Sequence, residues 1–288
     1  MSERRAPAGG SMPWSVRLSM GFVALFVLFA LFGQWLSPFD FRETSLLNRL
    51  EPPALFTGED SPYLLGTDAR GRDLLVRLAV GAQISLIVAV VGTLISAVFG
   101  SLLGLIAGAR RGFAETAIMT AVDVQASLPI IIVALFVLAM FNNSFILLLI
   151  MIGFTDWEGY ARLVRAATLS AKEQGYVTAQ RVLGSSAARI YLRHVLPNIF
   201  NIILVKFTVS LPLTILLETA LSFLGLGVQP PMTSLGQIMS EGRDRLLNAW
   251  WLTLFPGAMI FLLALSVSLI GDWLRDRLDP TLIEGRRA

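Results

Sequence analysis

The sequence predicts an all-α membrane protein of six transmembrane helices with a polar helical pair projecting from one side. Three observations lead there. Of 288 residues, 55% are hydrophobic and only 15% charged, and the mean hydropathy is +0.70. A soluble domain of this size carries far more charge. The apolar residues gather into long runs of the roughly 20 residues that a helix needs to cross hydrocarbon. One long segment between two runs, 155–197, is instead polar and basic.

The six spans are expected at 16–36, 84–108, 116–141 (with Pro129 inside), 145–154 with an extension toward Trp157, 198–224 (with Pro212 inside) and 252–274 (with Pro256 near its start). The first resembles a signal peptide in its flanking Arg4, Arg5 and Arg17, but its apolar run is too long and no small-residue cleavage site follows. It reads as an uncleaved helix. The division that follows is a tail at 1–15, the first span at 16–36, an external loop at 37–83, a five-helix core at 84–274 and a second tail at 275–288.

Basic residues set the orientation. With the N-terminus inside, the inner segments hold fifteen: Arg4, Arg5, Arg17, Arg110, Arg111, Arg162, Arg165, Lys172, Arg181, Arg189, Arg193, Arg275, Arg277, Arg286 and Arg287. The outer segments hold seven: Arg42, Arg49, Arg70, Arg72, Arg77, Arg243 and Arg245. Both termini and the 155–197 island are therefore expected in the cytoplasm. The 225–251 segment carries Leu235, Ile238, Met239, Leu246, Leu247 and Trp250 at near-helical spacing, which suggests a short interfacial helix.

Several functions are disfavoured. With no Cys and a single His, thiolate and multi-histidine metal sites are excluded, and no metal site is expected. Neither lysine follows a glycine, so the chain has no Gly-Lys-Ser/Thr phosphate loop and no cofactor of its own is expected. The net charge of +3 is spread between spans and forms no nucleic-acid patch. No serine–histidine, paired-aspartate or metal cluster suggests an enzyme.

The island itself reads as two short helices. Val177, Val182 and Leu183 give the first an apolar face, and Gly184 falls where a left-handed backbone ends it. Ser185 or Ser186 caps the second. Ile190, Tyr191, Val195 and Leu196 give that piece its apolar face, and Pro197 closes it before the fifth span. Taken alone, this pair fits either a docking element for a soluble partner or an amphipathic loop on the headgroups.

Gly184 followed by His194-Val195-Leu196-Pro197 resembles the EAA loop of ABC-importer permeases. Other stretches resemble the second, C-type permease of the dipeptide/oligopeptide class. They are Leu65-Gly66-Thr67-Asp68-Ala69-Arg70-Gly71-Arg72-Asp73 with Gly81-Ala82-Gln83; Trp157-Glu158-Gly159-Tyr160-Ala161-Arg162; Glu218-Thr219-Ala220-Leu221-Ser222-Phe223-Leu224-Gly225; Glu241-Gly242-Arg243-Asp244; and Gly271-Asp272-Trp273-Leu274-Arg275-Asp276-Arg277-Leu278-Asp279-Pro280. The resemblance implies a type I importer permease fold in a bacterial inner membrane. It implies that the loop docks into an ATPase through Tyr176, Val177, Thr178, Ala179, Gln180, Arg181, Leu183, Gly184, Arg189, His194, Leu196 and Pro197. Thr178-Ala179-Gln180 stand where the family has Glu-Ala-Ala, so an ionic contact from that Glu has no counterpart here. The implied partners are a second homologous permease, one or two types of cytoplasmic ATPase carrying ATP and Mg, a periplasmic or lipid-anchored binding protein, and membrane lipid. The implied cargo is a peptide, with nickel or glutathione as alternatives within the family.

Four ionisable residues fall in expected spans, where charge costs about 2.5–3.5 kcal/mol on insertion scales. Glu218 and Asp123 are the candidates for a translocation path. Lys206 reads as a snorkelling side chain, and Asp272 as half of an ion pair with Arg275. Asp123, Glu218 and Lys206 would form the relay of a competing class, an ion-coupled secondary transporter. The absence of an inverted repeat or an interrupted helix pair disfavours that class. Thr67 and Asp68 read as turn or cap residues, and Gly92, Gly100, Gly104 and Gly108 as a close-packing stripe against neighbouring spans or a second subunit.

Overall fold

The computed structural model describes residues 12–58, 61–141 and 144–278. Arg4, Arg5, Arg286, Arg287, the Asp279-Pro280 pair and most of both tails lie outside the described residues. Twelve α-helices occur among the described residues; apart from the single turn Ala54–Thr57 they are α1 Trp14–Phe32, α2 Leu74–Ala109, α3 Phe113–Ser127, α4 Ile130–Met140, α5 Phe145–Gly153, α6 Trp157–Lys172, α7 Gly175–Val182, α8 Ala187–Ile190, α9 Leu196–Phe223, α10 Leu235–Gly242 and α11 Trp251–Leu278. Among the described residues there is no strand, only an isolated bridge between Thr67 and Asp73.

Helix α2 organises the molecule. Asp73 starts it, its carboxylate accepting from the Leu75 amide at 2.9 Å, and 36 residues follow without a proline. At 1.5 Å per residue it is about 54 Å long. It begins ten residues before the expected 84, so the loop expected at 37–83 ends at Asp73. Helices α1, α9, α10 and α11 pack around its first half through Leu74, Leu78, Ile215, Leu235, Ile238, Leu252 and Leu263. Helices α4, α5 and α9 meet it midway through Val88, Ala134, Leu148, Ile152 and Leu221.

Four helical stretches are long and apolar enough to cross a membrane, and a fifth counts if α3 and α4 form one span. The expected span 116–141 is broken: α3 and α4 meet at 87°, so an interrupted helix pair, expected to be absent, is present. Pro129 is the cause, because the residue before a proline is driven out of the helical region; Leu128 is extended at φ −94°, ψ 132°. The expected span at 145–154 yields the nine-residue α5, about 13.5 Å long and too short to cross alone. By length and composition, four or five spans thus stand among the described residues, and the expected count of six is not confirmed. The expected interfacial helix is also relocated. Leu235 and Ile238 of α10 are fully buried in the core, while Leu247 beyond it is 98% exposed.

The glycine stripe of α2 allows its closest contact, with α6. A Cβ at Gly100 would overlap the Trp157 carbonyl, one at Gly104 the Ala161 carbonyl, and one at Gly108 the Thr168 side chain. Only glycine lets the two backbones approach this far. The stripe therefore packs within the chain, holding α6 and the segment that follows it.

Candidate functional site

The hairpin at residues 175–195 forms at the far end of α2. Helix α7 ends at Leu183, and Gly184 turns the chain at φ +76°. An added Cβ there would meet nothing within 4 Å, so the backbone conformation, not space, calls for glycine. The turn is closed by the Ser185 amide donating to the Gln180 carbonyl at 3.1 Å and the Ser185 hydroxyl donating to Gln180 Oε1 at 2.9 Å. Ser186 holds the N-cap position of α8 but makes no side-chain cap bond.

Inward, Val177, Ile190, Val195 and Ile199 are buried with Leu105, Val164 and Ala171, and Tyr176, Tyr191 and Leu196 pack against them. Lys172 fixes the base of the hairpin by donating to the Gly108 and Ala109 carbonyls at 2.6 and 2.9 Å. Asn198 donates to the Tyr176 hydroxyl at 3.1 Å. Outward, Thr178, Ala179, Arg181, Gly184 and Arg189 are exposed, with Val182 at 82% and Leu183 at 76%. The expected apolar face of Val177, Val182 and Leu183 is thus divided: the first packs inward and the other two stand at the tip. His194 is half-buried.

Pro197 does not close the second piece. After α8 the chain makes a π turn at Tyr191–Val195 and runs directly into α9, with Pro197 in its first turn. A proline is tolerated there because the first-turn amides need no helical partner. The hairpin is therefore one continuous body with a long span, a coupling that a break at Pro197 would have denied.

The path candidates are scattered. Asp123 lies on the exposed face of α3, 3.5 Å from Arg162, with both side chains largely open. Glu218 is fully buried inside the chain. Ser222 donates to it at 2.6 Å and Ser85 at 3.1 Å, so it lies on no open face here. Lys206 does not snorkel: its ammonium is 2.9 Å from Asp156. No hydrogen bond or ion pair joins any two of Asp123, Glu218 and Lys206 among the described residues, so no relay is assembled. Nor does Asp272 pair with Arg275 among them.

Two clusters escaped the sequence reading. The first is Asp156, which accepts from Lys206 and, at 2.6 Å, from Ser210. The signal was a lysine inside a span, which demands a counter-charge. The second surrounds Asp68 at the start of α2. Asp68 is buried and pairs with Arg72 at 2.5 Å and with the buried Arg77. Glu241 of α10 joins at 3.0 Å from Arg72 and 2.8 Å from Arg77, and Thr233 accepts from Arg77 at 3.2 Å. Burial alone would raise the Asp68 carboxyl, but Arg77, the amides of Arg72 and Arg70, and the Arg72 charge hold it below the ordinary value of 3.8. Asp73 is pushed upward by burial, against bonds from Ser37 and the Leu75 amide. The Asp68 turn is thus a structural clamp between α2 and α10.

Several helices long and apolar enough to cross a membrane, with a hairpin whose apolar tip is exposed among the described residues, define a multi-pass membrane protein. The family model described as "Binding-protein-dependent transport system inner membrane component" matches residues 100–284. That described as "N-terminal TM domain of oligopeptide transport permease C" matches 16–53. The chain is 40% identical to the Di/tripeptide transport system permease protein DppC of Pseudomonas aeruginosa, over 91% of this chain and 86% of that one. It is 36% identical to the Oligopeptide transport system permease protein OppC of Haemophilus influenzae (91% and 83% covered) and 37% to that of Escherichia coli (90% and 84%). The chain belongs to the binding-protein-dependent transport system inner membrane components: it is an ABC permease subunit with the type I fold, a multi-pass inner-membrane protein and not a catalytic one.

Proposed function

We propose that this chain is one of two distinct permease subunits of an importer that moves peptides inward, driven by ATP hydrolysis on separate ATPase subunits. ATP and Mg reside on those subunits, and this chain holds no nucleotide site. A binding protein delivers cargo to the side bearing the Asp68 clamp. Both termini and the hairpin face the cytoplasm, in keeping with the placement of arginine and lysine. The relatives' names support di-, tri- or oligopeptides as cargo over nickel or glutathione.

The observation that carries the coupling role is the exposed Val182-Leu183-Gly184 tip on a base packed against α2 and α6. An apolar tip on a fixed base suits a groove on another protein. The same body continues into α9, so a displacement of the tip is transmitted to a span, which gives the two-position element that coupling needs.

The test uses the absence of cysteine. In the assembled transporter, a lone cysteine at Leu183 should crosslink to an ATPase subunit through a short bifunctional reagent, with a yield that changes when ATP binds. Crosslinking to lipid-directed probes alone would reject the docking role.

A further inference from the structure

We infer that the Asp156–Lys206 ion pair is a peptide-binding site on the translocation path, where Asp156 takes the peptide's ammonium group and Lys206 its carboxylate. This rests on the peptide-import reading above and assigns it a site.

The residues Ile202, Val209, Leu213 and Leu216 form a stripe along α9 that stays partly exposed among the described residues. With Lys206 their spacing is four, three, four, three, which is one face of a helix. The stripe is about 21 Å long and apolar except at its centre. There Lys206 and Asp156 meet at 2.9 Å with side chains still 24% and 29% exposed. An ionic pair left partly open at this depth is strongly disfavoured against acyl chains, and such residues face a bundle interior or a watery cavity. This face of α9 is therefore the path face.

The pair is built to exchange partners. Two cavities flank it on that face. One of about 390 Å³ is lined by Asp156, Thr155, Ser210 and Thr214 among apolar residues. The other, of about 430 Å³, is lined by Lys206, Asn201 and Arg275 among apolar residues. The carboxylate side thus opens to one space and the ammonium side to the other. Gly159 leaves the room between them, since a Cβ there would stand 2.6 Å from Asp156 Oδ1 and 3.2 Å from Lys206 Nζ. Next in the chain, one carboxylate oxygen of Glu158 is buried without a hydrogen-bond partner. A zwitterion entering this face exchanges one internal ion pair for two, and nothing else in the chain must refold. Ser210 stays on Asp156 at 2.6 Å and holds the carboxylate in place meanwhile. Pairing of this kind is independent of side-chain sequence, as a peptide carrier requires.

The experiment uses the assembled transporter in proteoliposomes with trialanine as probe. Asp156→Asn should raise the KM for uptake on the order of tenfold, the cost of one charge-assisted contact, with stimulated ATP hydrolysis retained. Exchanging the charges, Asp156→Lys with Lys206→Asp, should fail to restore uptake; full recovery would mean a structural pair and overturn the site. If Asp156→Asn does not assemble, single cysteines decide. A membrane-impermeant thiol reagent should label Val209→Cys faster than Leu204→Cys on another face of α9, and trialanine should slow that labelling. Equal or absent labelling at Val209 would put the stripe in lipid or in a dry interface and reject the site. If Val209 is wet but the wild-type transporter takes up no trialanine, the peptide reading has failed while the path face stands, and the ligand named here falls with it.

Discussion

The two ends of α2 are built on opposite plans. At its start, Asp68, Arg72, Arg77 and Glu241 form a network whose charges satisfy one another inside the chain. At its far end, Val182 and Leu183 stand exposed, with no partner among the described residues, on short helices held by a small apolar cluster. Charge paired inside the chain has less left to offer a second protein, although Arg77 Nε is buried without a hydrogen-bond partner. Apolar surface left uncovered has more. The clamp therefore fixes α10 against α2, and the hairpin is the part that the proposed function has another molecule complete.

Perturbing the hairpin tip should have the largest functional effect and little structural effect. Leu183→Asp, at an exposed tip position with an ordinary backbone, should abolish peptide uptake while the protein still inserts and assembles, measured by uptake in vesicles against subunit co-purification. Normal uptake would show that the tip is not a docking element. The clamp should behave the other way. Arg77→Met leaves Asp68 buried without its main counter-charge, so it should cost about 3–5 kcal/mol of stability, read as a large fall in Tm in detergent. A loss of uptake at unchanged Tm would make the clamp a functional site.

The stripe that joins the two ends should give an intermediate effect. Gly104→Leu forces α2 from the Ala161 carbonyl, and overpacking of this kind costs about 1–3 kcal/mol. It should also loosen the hairpin base, since α6 carries Lys172; faster hydrogen exchange at 175–182 would register it. The smallest effect is that of pH. Asp68 is held below 3.8 in the folded chain, so its stabilisation is present above that value and is lost as pH falls through and below it. Denaturation midpoints measured between pH 6 and 3 should decline in the wild type, and less steeply in Asp68→Asn. Equal slopes would remove Asp68 from the clamp.

Much of this was legible in the residues. Hydropathy gave the four long spans, because twenty apolar residues in a row have few other uses. Gly184 announced the turn, because its φ of +76° is one that side chains resist. The bend at Leu128-Pro129 was harder. A proline inside an apolar run either kinks a span or splits it, and neighbours decide which. The ion pairs were hidden for a different reason. Lys206 and Asp156 are fifty positions apart, and Arg77 and Glu241 are 164 apart.

The sequence by itself determined that this chain lives in a membrane, that it is helical, and where its backbone must turn, since those follow from composition and from local conformational preference. The tertiary structure alone decided which charges meet, which face of α9 stays open and that Pro197 joins the hairpin to a span rather than parting them. Those outcomes depend on which helices pack together, and packing is a property of distant residues that no local pattern carries.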